Sequence, residues 1–210
     1  MHFLSRVADY VTLSLLWVLC SLPIVTLGAS TTALYRVAIN AREDKQTNSS
    51  AFFAAFRANF KKATILWLIL LAVGAILVFC IWALPRQAED TSKLSVILMY
   101  TGAFMLFLLC AFEMAHTFPM LAYFENSVGA FLRNSLLLSL LSPLRTIACA
   151  VLMLLPFLVL YFMTKIFLFT LPLWICLWPG MASHTASGLL LKIYHKYLIP
   201  KTDEDSDPKI

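Results

Sequence analysis

The chain alternates long apolar segments with short polar ones. Five of the apolar segments are long enough to cross a membrane as helices, because a hydrocarbon core of about 30 Å needs about 20 helical residues. These segments are residues 7–27, 63–84, 94–118, 143–163 and 166–191. The pattern predicts an all-α polytopic transmembrane helical bundle with about five spans, plus cytoplasmic interfacial helices.

Helix-breaking residues divide the first of these spans. Pro23 and Gly28 interrupt it, and we expect Ser30 to cap a new helix over residues 31–41. Two interpretations of residues 23–28 stay open at this point: a broken transmembrane helix, or a shallow re-entrant element.

The last two spans also contain helix breakers. Pro156 lies in the fourth span, and Pro172 and the pair Pro179-Gly180 lie in the fifth. We expect these residues to kink or break both helices, which neighbouring helices make tolerable in lipid.

The segment ahead of the second span, residues 51–62, has aromatic and basic residues on one side of a predicted helix. Arg57 and Lys61 flank the aromatic arc. The arc consists of Phe52, Phe53, Phe56 and Phe60. Such a helix could lie at the membrane surface and contact a partner, or it could pack beneath the bundle; the pattern favours the two readings equally.

Composition agrees with a membrane protein. Hydrophobic residues make up 61% of the chain and charged residues 13%, with a mean hydropathy of +0.84. Soluble domains are about 45–50% apolar and about 25% charged, and a soluble fold could not bury this much apolar surface. No linker separates differently composed halves. We therefore predict one transmembrane helical domain over residues 1–198 and a charged, disordered cytoplasmic tail over residues 199–210.

Charge placement predicts the orientation. Most of the 16 Lys and Arg residues fall in the segments that lie inside if the N-terminus is outside and the C-terminus is cytoplasmic. The net charge of +5 is spread between the apolar segments, which suits anionic lipid headgroups. Nucleic-acid binding is excluded by the same spacing, since it needs basic residues clustered on a soluble face.

Motifs for catalysis, metals and cofactors are absent from the sequence. Each of the five cysteines lies in an apolar segment, and no CxxC pair occurs. The sequence contains no GxxxxGK[ST], GxSxG or HExxH motif. We expect no enzyme activity, no metal and no cofactor.

Three ionisable residues in the spans form a candidate intramembrane polar site. Glu113 and His116 are spaced i, i+3 and share a helix face, and His184 lies between Ser183 and Ser187. Ionisable residues in lipid are costly, so they suggest a proton or substrate pathway. The bland alternative is that Glu113 and His116 reach headgroups or water near the cytoplasmic end of their helix, and that the small residues around His184 serve helix packing.

The residues also carry a family resemblance. The run SLPIVTLGASTTALY (residues 21–35) resembles the hallmark of the YesL-like family of bacterial integral membrane proteins. AFRANFKKAT (residues 55–64) and LAYFENS (residues 121–127) resemble further segments of that family. The resemblance extends over roughly residues 3–197.

The resemblance implies a setting without implying a mechanism. It implies a multi-pass protein of the bacterial plasma membrane, whose relatives are encoded beside ABC-type sugar importers. We therefore expect an accessory component of carbohydrate uptake, with the lipid bilayer and importer subunits as partners and a homo-oligomer as a further possibility. Two alternatives stay open: a transport-competent, permease-like subunit, or a membrane scaffold or sensor.

Overall fold

The structure is a computed structural model that describes residues 2–83 and 93–198. Its regular elements in those ranges are all helical, which confirms the all-α prediction there. A short 3-10 helix, Ile24–Thr26, lies between the first two α-helices. The α-helices are α1 (His2–Ser21), α2 (Leu27–Asn40), α3 (Ser49–Ala83), α4 (Lys93–Tyr123), α5 (Val128–Leu141), α6 (Pro143–Phe162), α7 (Thr164–Phe169), α8 (Leu171–Cys176) and α9 (Trp178–Tyr197). The predicted tail over residues 199–210 lies outside the described residues.

Helices α1 and α2 fold back on each other as an antiparallel hairpin. The indole Nε1 of Trp17 donates to Thr31 Oγ1 at 3.1 Å. Nearer the turn, the hydroxyls of Ser21 and Ser30 are hydrogen-bonded at 2.6 Å. Later residues of α1 thus pair with earlier residues of α2. The start of α1 and the end of α2 therefore lie at the same end of the pair.

The turn of this hairpin is held by a threonine. Thr26 Oγ1 lies 2.6 Å from the carbonyl oxygen of Cys20 and 2.8 Å from that of Pro23, both within donating distance. Pro23 ends α1, as expected. Gly28 does not interrupt the chain, however, and Ser30 does not cap a helix, because α2 begins at Leu27 and contains both residues.

Helix α3 is continuous over 35 residues, which corresponds to about 52 Å. The expectation of a separate interfacial helix over residues 51–62 is therefore wrong: those residues form the first part of α3. Phe52 is fully buried and Phe56 partly so, whereas Phe53 and Phe60 are exposed. Burial of Phe52 agrees with the alternative of a helix packed within the bundle, since its ring lies against α1 and α2 residues.

Helix α2 occupies the centre of the packed part of the molecule. It lies against α3, α4 and α9, and ten of its 14 residues are buried. Small residues allow this close packing. Gly28 is the extreme case, because a Cβ placed there would lie 2.7 Å from the carbonyl oxygen of Ala63 in α3.

The chain after α4 turns back and then breaks. Ser127 caps α5, accepting a hydrogen bond from the amide of Ala130 at 3.4 Å. The expected fifth span is divided into α7, α8 and α9, with Pro172 and Pro179 at the starts of α8 and α9, so those breaks are confirmed. Of the expected kink or break at Pro156, the break does not occur, since α6 continues through that residue.

The molecule has a packed end and an open end. Helix α2, the middle of α3 and the second half of α4 bury a shared core with α5 and α9. The remaining turns of α3 and α4 expose large apolar side chains, and the most apolar 18-residue stretch of α4 has no buried residue. Among the described helices, α3, α4 and α6 are long and apolar enough to cross a membrane, by length and composition.

Candidate functional site

Glu113 lies where α4 enters the packed end, and α5 provides its partner. The Oγ of Ser135 lies 2.5 Å from Glu113 Oε1, and the carboxyl is only 6% exposed. The second oxygen, Oε2, has no hydrogen-bond partner among the described residues. Burying a carboxyl with one oxygen unpaired costs free energy, so the packing of the surrounding helices must keep the Glu113 side chain in this place.

The Ser135 hydroxyl has more acceptors than protons. It lies 2.7 Å from the carbonyl oxygen of Phe131 as well as 2.5 Å from Glu113 Oε1, and a serine donates one hydrogen bond. A proton on Glu113 would satisfy both contacts at once, because the carboxyl would then donate to Ser135 while Ser135 donates to Phe131. Either assignment of the protons keeps Glu113 in contact with Ser135, which joins α4 to α5 at this level.

His116 lies one turn further along α4 and is fully buried. Its Nε2 is hydrogen-bonded to Thr146 Oγ1 in the first turn of α6, at 2.8 Å. Its Nδ1 has no partner in the part of the chain that the structure describes. The structure thus places Glu113 and His116 in one buried polar cluster that joins α4, α5 and α6.

Sequence reasoning missed the hydroxyl groups of this cluster. Ser135, Ser139 and Thr146 are all buried beside α4. Ser139 Oγ reaches the carbonyl oxygen of Phe112 at 3.4 Å, and Thr117 Oγ1 lies 3.3 Å from Ser135 Oγ. A signal was present: the serines of α5 recur every four residues within a leucine-rich helix, so they share a face.

His184 lies elsewhere, so the three predicted residues do not form one site. Its ring packs on Tyr10 of α1, with centroids 5.6 Å apart. Its carbonyl oxygen accepts two hydrogen bonds from Arg42, at 3.1 Å from Nε and 2.5 Å from Nη2. Ser187 Oγ also accepts from Arg42 Nε, at 3.1 Å. This region joins α1, α2 and α9.

The residues predicted for a partner helix lie on α3. Arg57 and Lys61 are exposed, together with Phe60. Phe52 and Phe56 face the core instead. With Phe53, which is also exposed, the surface left for a partner is therefore basic with two exposed aromatic side chains.

No group of three or more His, Cys, Asp or Glu side chains that could hold a metal ion occurs within residues 2–83 and 93–198. The polar cluster thus consists of one carboxyl, one imidazole and hydroxyls.

Comparison with known protein families gives a match for the first part of the chain. Residues 10–80 match a family described as "Protein of unknown function, DUF624". The matched segment contains most of α1, the hairpin turn, all of α2 and most of α3. No curated protein and no solved structure matches the chain. The similarity therefore includes the α1–α2 hairpin and leaves out the Glu113–His116 cluster.

Proposed function

We propose that the chain is an integral membrane protein of a bacterial plasma membrane, without enzyme activity, that serves as an accessory component of carbohydrate ABC-type uptake. One observation carries the membrane assignment: α3, α4 and α6 extend from the packed end with apolar, exposed side chains. A helix that is apolar on all sides is stable only inside a bilayer or among other apolar helices.

The hairpin changes the proposed orientation. With the C-terminus in the cytoplasm, the end of α9 lies on that side, and α1 runs antiparallel to α9 because Ser14 meets Gly180 and Tyr10 meets His184. The start of α1 is then also cytoplasmic. A re-entrant α1–α2 hairpin replaces the expected first span and its outside N-terminus in this proposal.

The accessory role rests on two supports. Residues 21–35 resemble the YesL-like family, whose setting is sugar import, and they form the hairpin turn and most of α2. In addition, the first turns of α3 present Arg57, Phe60 and Lys61 to solvent. Exposed arginine and aromatic side chains are frequent anchors in protein interfaces.

Co-purification tests this role. The full-length protein, tagged after Ile210, is extracted from native membranes in mild detergent, and bound proteins are identified by mass spectrometry. We expect permease or ATPase subunits of a sugar importer, and their loss in the double variant Arg57→Glu/Lys61→Glu. Recovery of the protein alone or only with its own copies would contradict the accessory role.

A charge-matched control separates a specific surface from general electrostatics. Lys192→Glu/Lys196→Glu changes the charge by the same amount on exposed residues of α9. The accessory role requires that this variant keep the partners. Equal loss in both variants would show that charge alone, and not the α3 surface, retains them.

A transport-competent subunit is the second candidate, and the buried Glu113–His116 cluster favours it. Membrane-embedded carboxyl and imidazole groups are common in proton and substrate pathways. Purified protein in liposomes would then take up an oligosaccharide or protons, and Glu113→Gln would abolish this uptake whereas Glu125→Gln, at an exposed loop residue, would not. Absence of uptake in both the isolated protein and its complex would reject this candidate.

A further inference from the structure

A groove of about 890 Å³ opens between the end of α2, the first part of α3 and the α4–α5 connection. Alanines on one face of α3 create this space, because their side chains are too small to fill it. They recur at helical spacing and are Ala51, Ala54, Ala55 and Ala58. A groove of this volume is large enough for a small molecule or a lipid headgroup.

Arg36 supplies the deepest charge in the groove. It is half-buried, and its Nη1 donates to the carbonyl oxygen of Ala122 at the end of α4, at 2.9 Å. No other hydrogen bond of this guanidinium occurs among the described residues. An arginine carries five N–H donors in a planar fork, so most of them stay available to a ligand in the groove.

Lys62 supplies a second cation, from the opposite wall. It lines the groove on α3 and forms no ion pair in the described part of the chain. Lys45, in contrast, is held by Glu43, with 2.6 Å between Nζ and Oε2. The charges left for a ligand are therefore those of Arg36 and Lys62.

Two exposed carboxylates also border the groove, Asp44 and Glu125. A third, the half-buried Glu43, lies beside the groove-lining Tyr123 and is paired with Lys45. Water and salt weaken the repulsion that exposed carboxylates exert on an anion. Arg36 is half-buried, and charges attract each other more strongly in such a low-dielectric environment than in water. The balance at the inner end of the groove therefore favours an anion.

The position of Lys62 indicates where the groove lies with respect to the bilayer surface. The uninterrupted apolar part of α3 begins at the next residue, Ala63. Lys62 thus marks the level at which α3 enters the membrane, and the groove lies on its polar side. A lipid headgroup and a water-soluble phosphate compound can both reach such a site.

We propose that this groove binds a phosphate group, held by Arg36 and Lys62. A planar guanidinium and an ammonium together match the oxygens of a phosphate, and hydrogen bonds between charged groups are among the strongest in proteins. The amide of Asn59 lies on the same wall as Lys62 and can contact the rest of the ligand. This site is independent of the accessory role proposed above.

The test uses the full-length protein in two arms. In the first, nanodiscs of mixed phosphatidylglycerol and phosphatidylcholine are analysed by native mass spectrometry, and retained phosphatidylglycerol is counted. In the second, inorganic phosphate is titrated into protein in maltoside detergent micelles, which carry no phosphate, and binding is read as a rise in unfolding temperature. We expect wild-type protein to bind in at least one arm and Lys62→Gln to weaken that binding about tenfold.

Lys61→Gln is the matched control, since Lys61 is exposed, carries the same charge and does not line the groove. Arg36→Gln should weaken binding as well, and Lys62→Gln keeps the test valid if that variant fails to fold. Binding of phosphatidylglycerol alone identifies a lipid headgroup as the ligand, and binding of inorganic phosphate identifies a soluble one. No binding in either arm, or equal losses in Lys61→Gln and Lys62→Gln, would overturn the proposal.

Discussion

Replacing Gly28 by alanine tests whether the contact between α2 and α3 is as close as the structure shows. A Cβ at residue 28 would lie 2.7 Å from the carbonyl oxygen of Ala63, 2.7 Å from Trp67 Cβ and 3.0 Å from Phe118 Cε1. The first two neighbours are a backbone oxygen and an atom fixed to the backbone. Neither can move aside by rotating a side chain, so α2 and α3 would have to separate.

The magnitude follows from two opposing effects. Overpacking of this kind costs about 1–3 kcal/mol. Alanine gains up to about 1 kcal/mol over glycine inside a helix, and Gly28 lies within α2. We therefore expect Gly28→Ala to destabilise the protein by up to about 2 kcal/mol, and to be about 1–3 kcal/mol less stable than an alanine variant that gains helix propensity without overpacking.

Gly74 provides the control because it lies inside α3 with nothing within 4 Å of an added Cβ. Gly74→Ala should be neutral or stabilise the fold by up to about 1 kcal/mol. The assay is unfolding of both variants and the wild type in the same detergent, followed by circular dichroism. If Gly28→Ala were as stable as Gly74→Ala, the close packing of α2 on α3 would be refuted.

Three further predictions concern a buried hydroxyl group, two buried tyrosines and the side of the membrane on which the hairpin begins and ends. Ser14→Ala should cost about 1–3 kcal/mol in the same unfolding assay, because its buried hydroxyl accepts an amide hydrogen bond from the first turn of α9 at 3.0 Å; stability equal to wild type would contradict this. Burial raises the pKa of Tyr35 and Tyr194. Above pH about 10, these tyrosines therefore lose their protons in the unfolded chain and keep them in the folded one. The free energy of unfolding should then fall by up to about 1.4 kcal/mol per pH unit for each tyrosine. Replacing both by phenylalanine should flatten that slope, which unfolding measured against pH would show. Cysteines are placed at Asp9 and Gln46, and the native cysteines are replaced. Both should react with an impermeant maleimide from the same side of the membrane, because a re-entrant hairpin brings the chain back to the side on which α1 begins. Labelling from opposite sides would exclude a re-entrant hairpin.

Part of this fold could be read from short stretches of sequence. The apolar segments 94–118 and 143–163 correspond to α4 and α6 within about five residues, and segment 63–84 corresponds to the later part of α3, which begins earlier, at Ser49. Pro172 and Pro179 begin new helices as their missing amide protons require. Length and proline placement act locally, so sequence reasoning detects them.

The candidate site was predicted only in part. The i, i+3 spacing placed Glu113 and His116 on one face, and the structure keeps them in one cluster. Their partners, Ser135 and Thr146, come from α5 and α6, which the sequence did not connect to them. Nothing in the local pattern separated His184 from this group, since its neighbours are Tyr10 of α1 and Arg42 in the turn after α2.

The sequence by itself therefore determined that the chain is helical, largely apolar and interrupted at specific prolines. The tertiary structure alone decided that residues 51–62 and the apolar segment after them form one helix, α3, and that α1 and α2 form a hairpin rather than one interrupted span. The physical reason is that helix formation depends on each residue and its near neighbours, whereas a reversal such as that at Pro23 depends on the surface against which the returning helix packs. For α2 that surface is built from α3, α4 and α9, and Gly28 allows the closest contact with it.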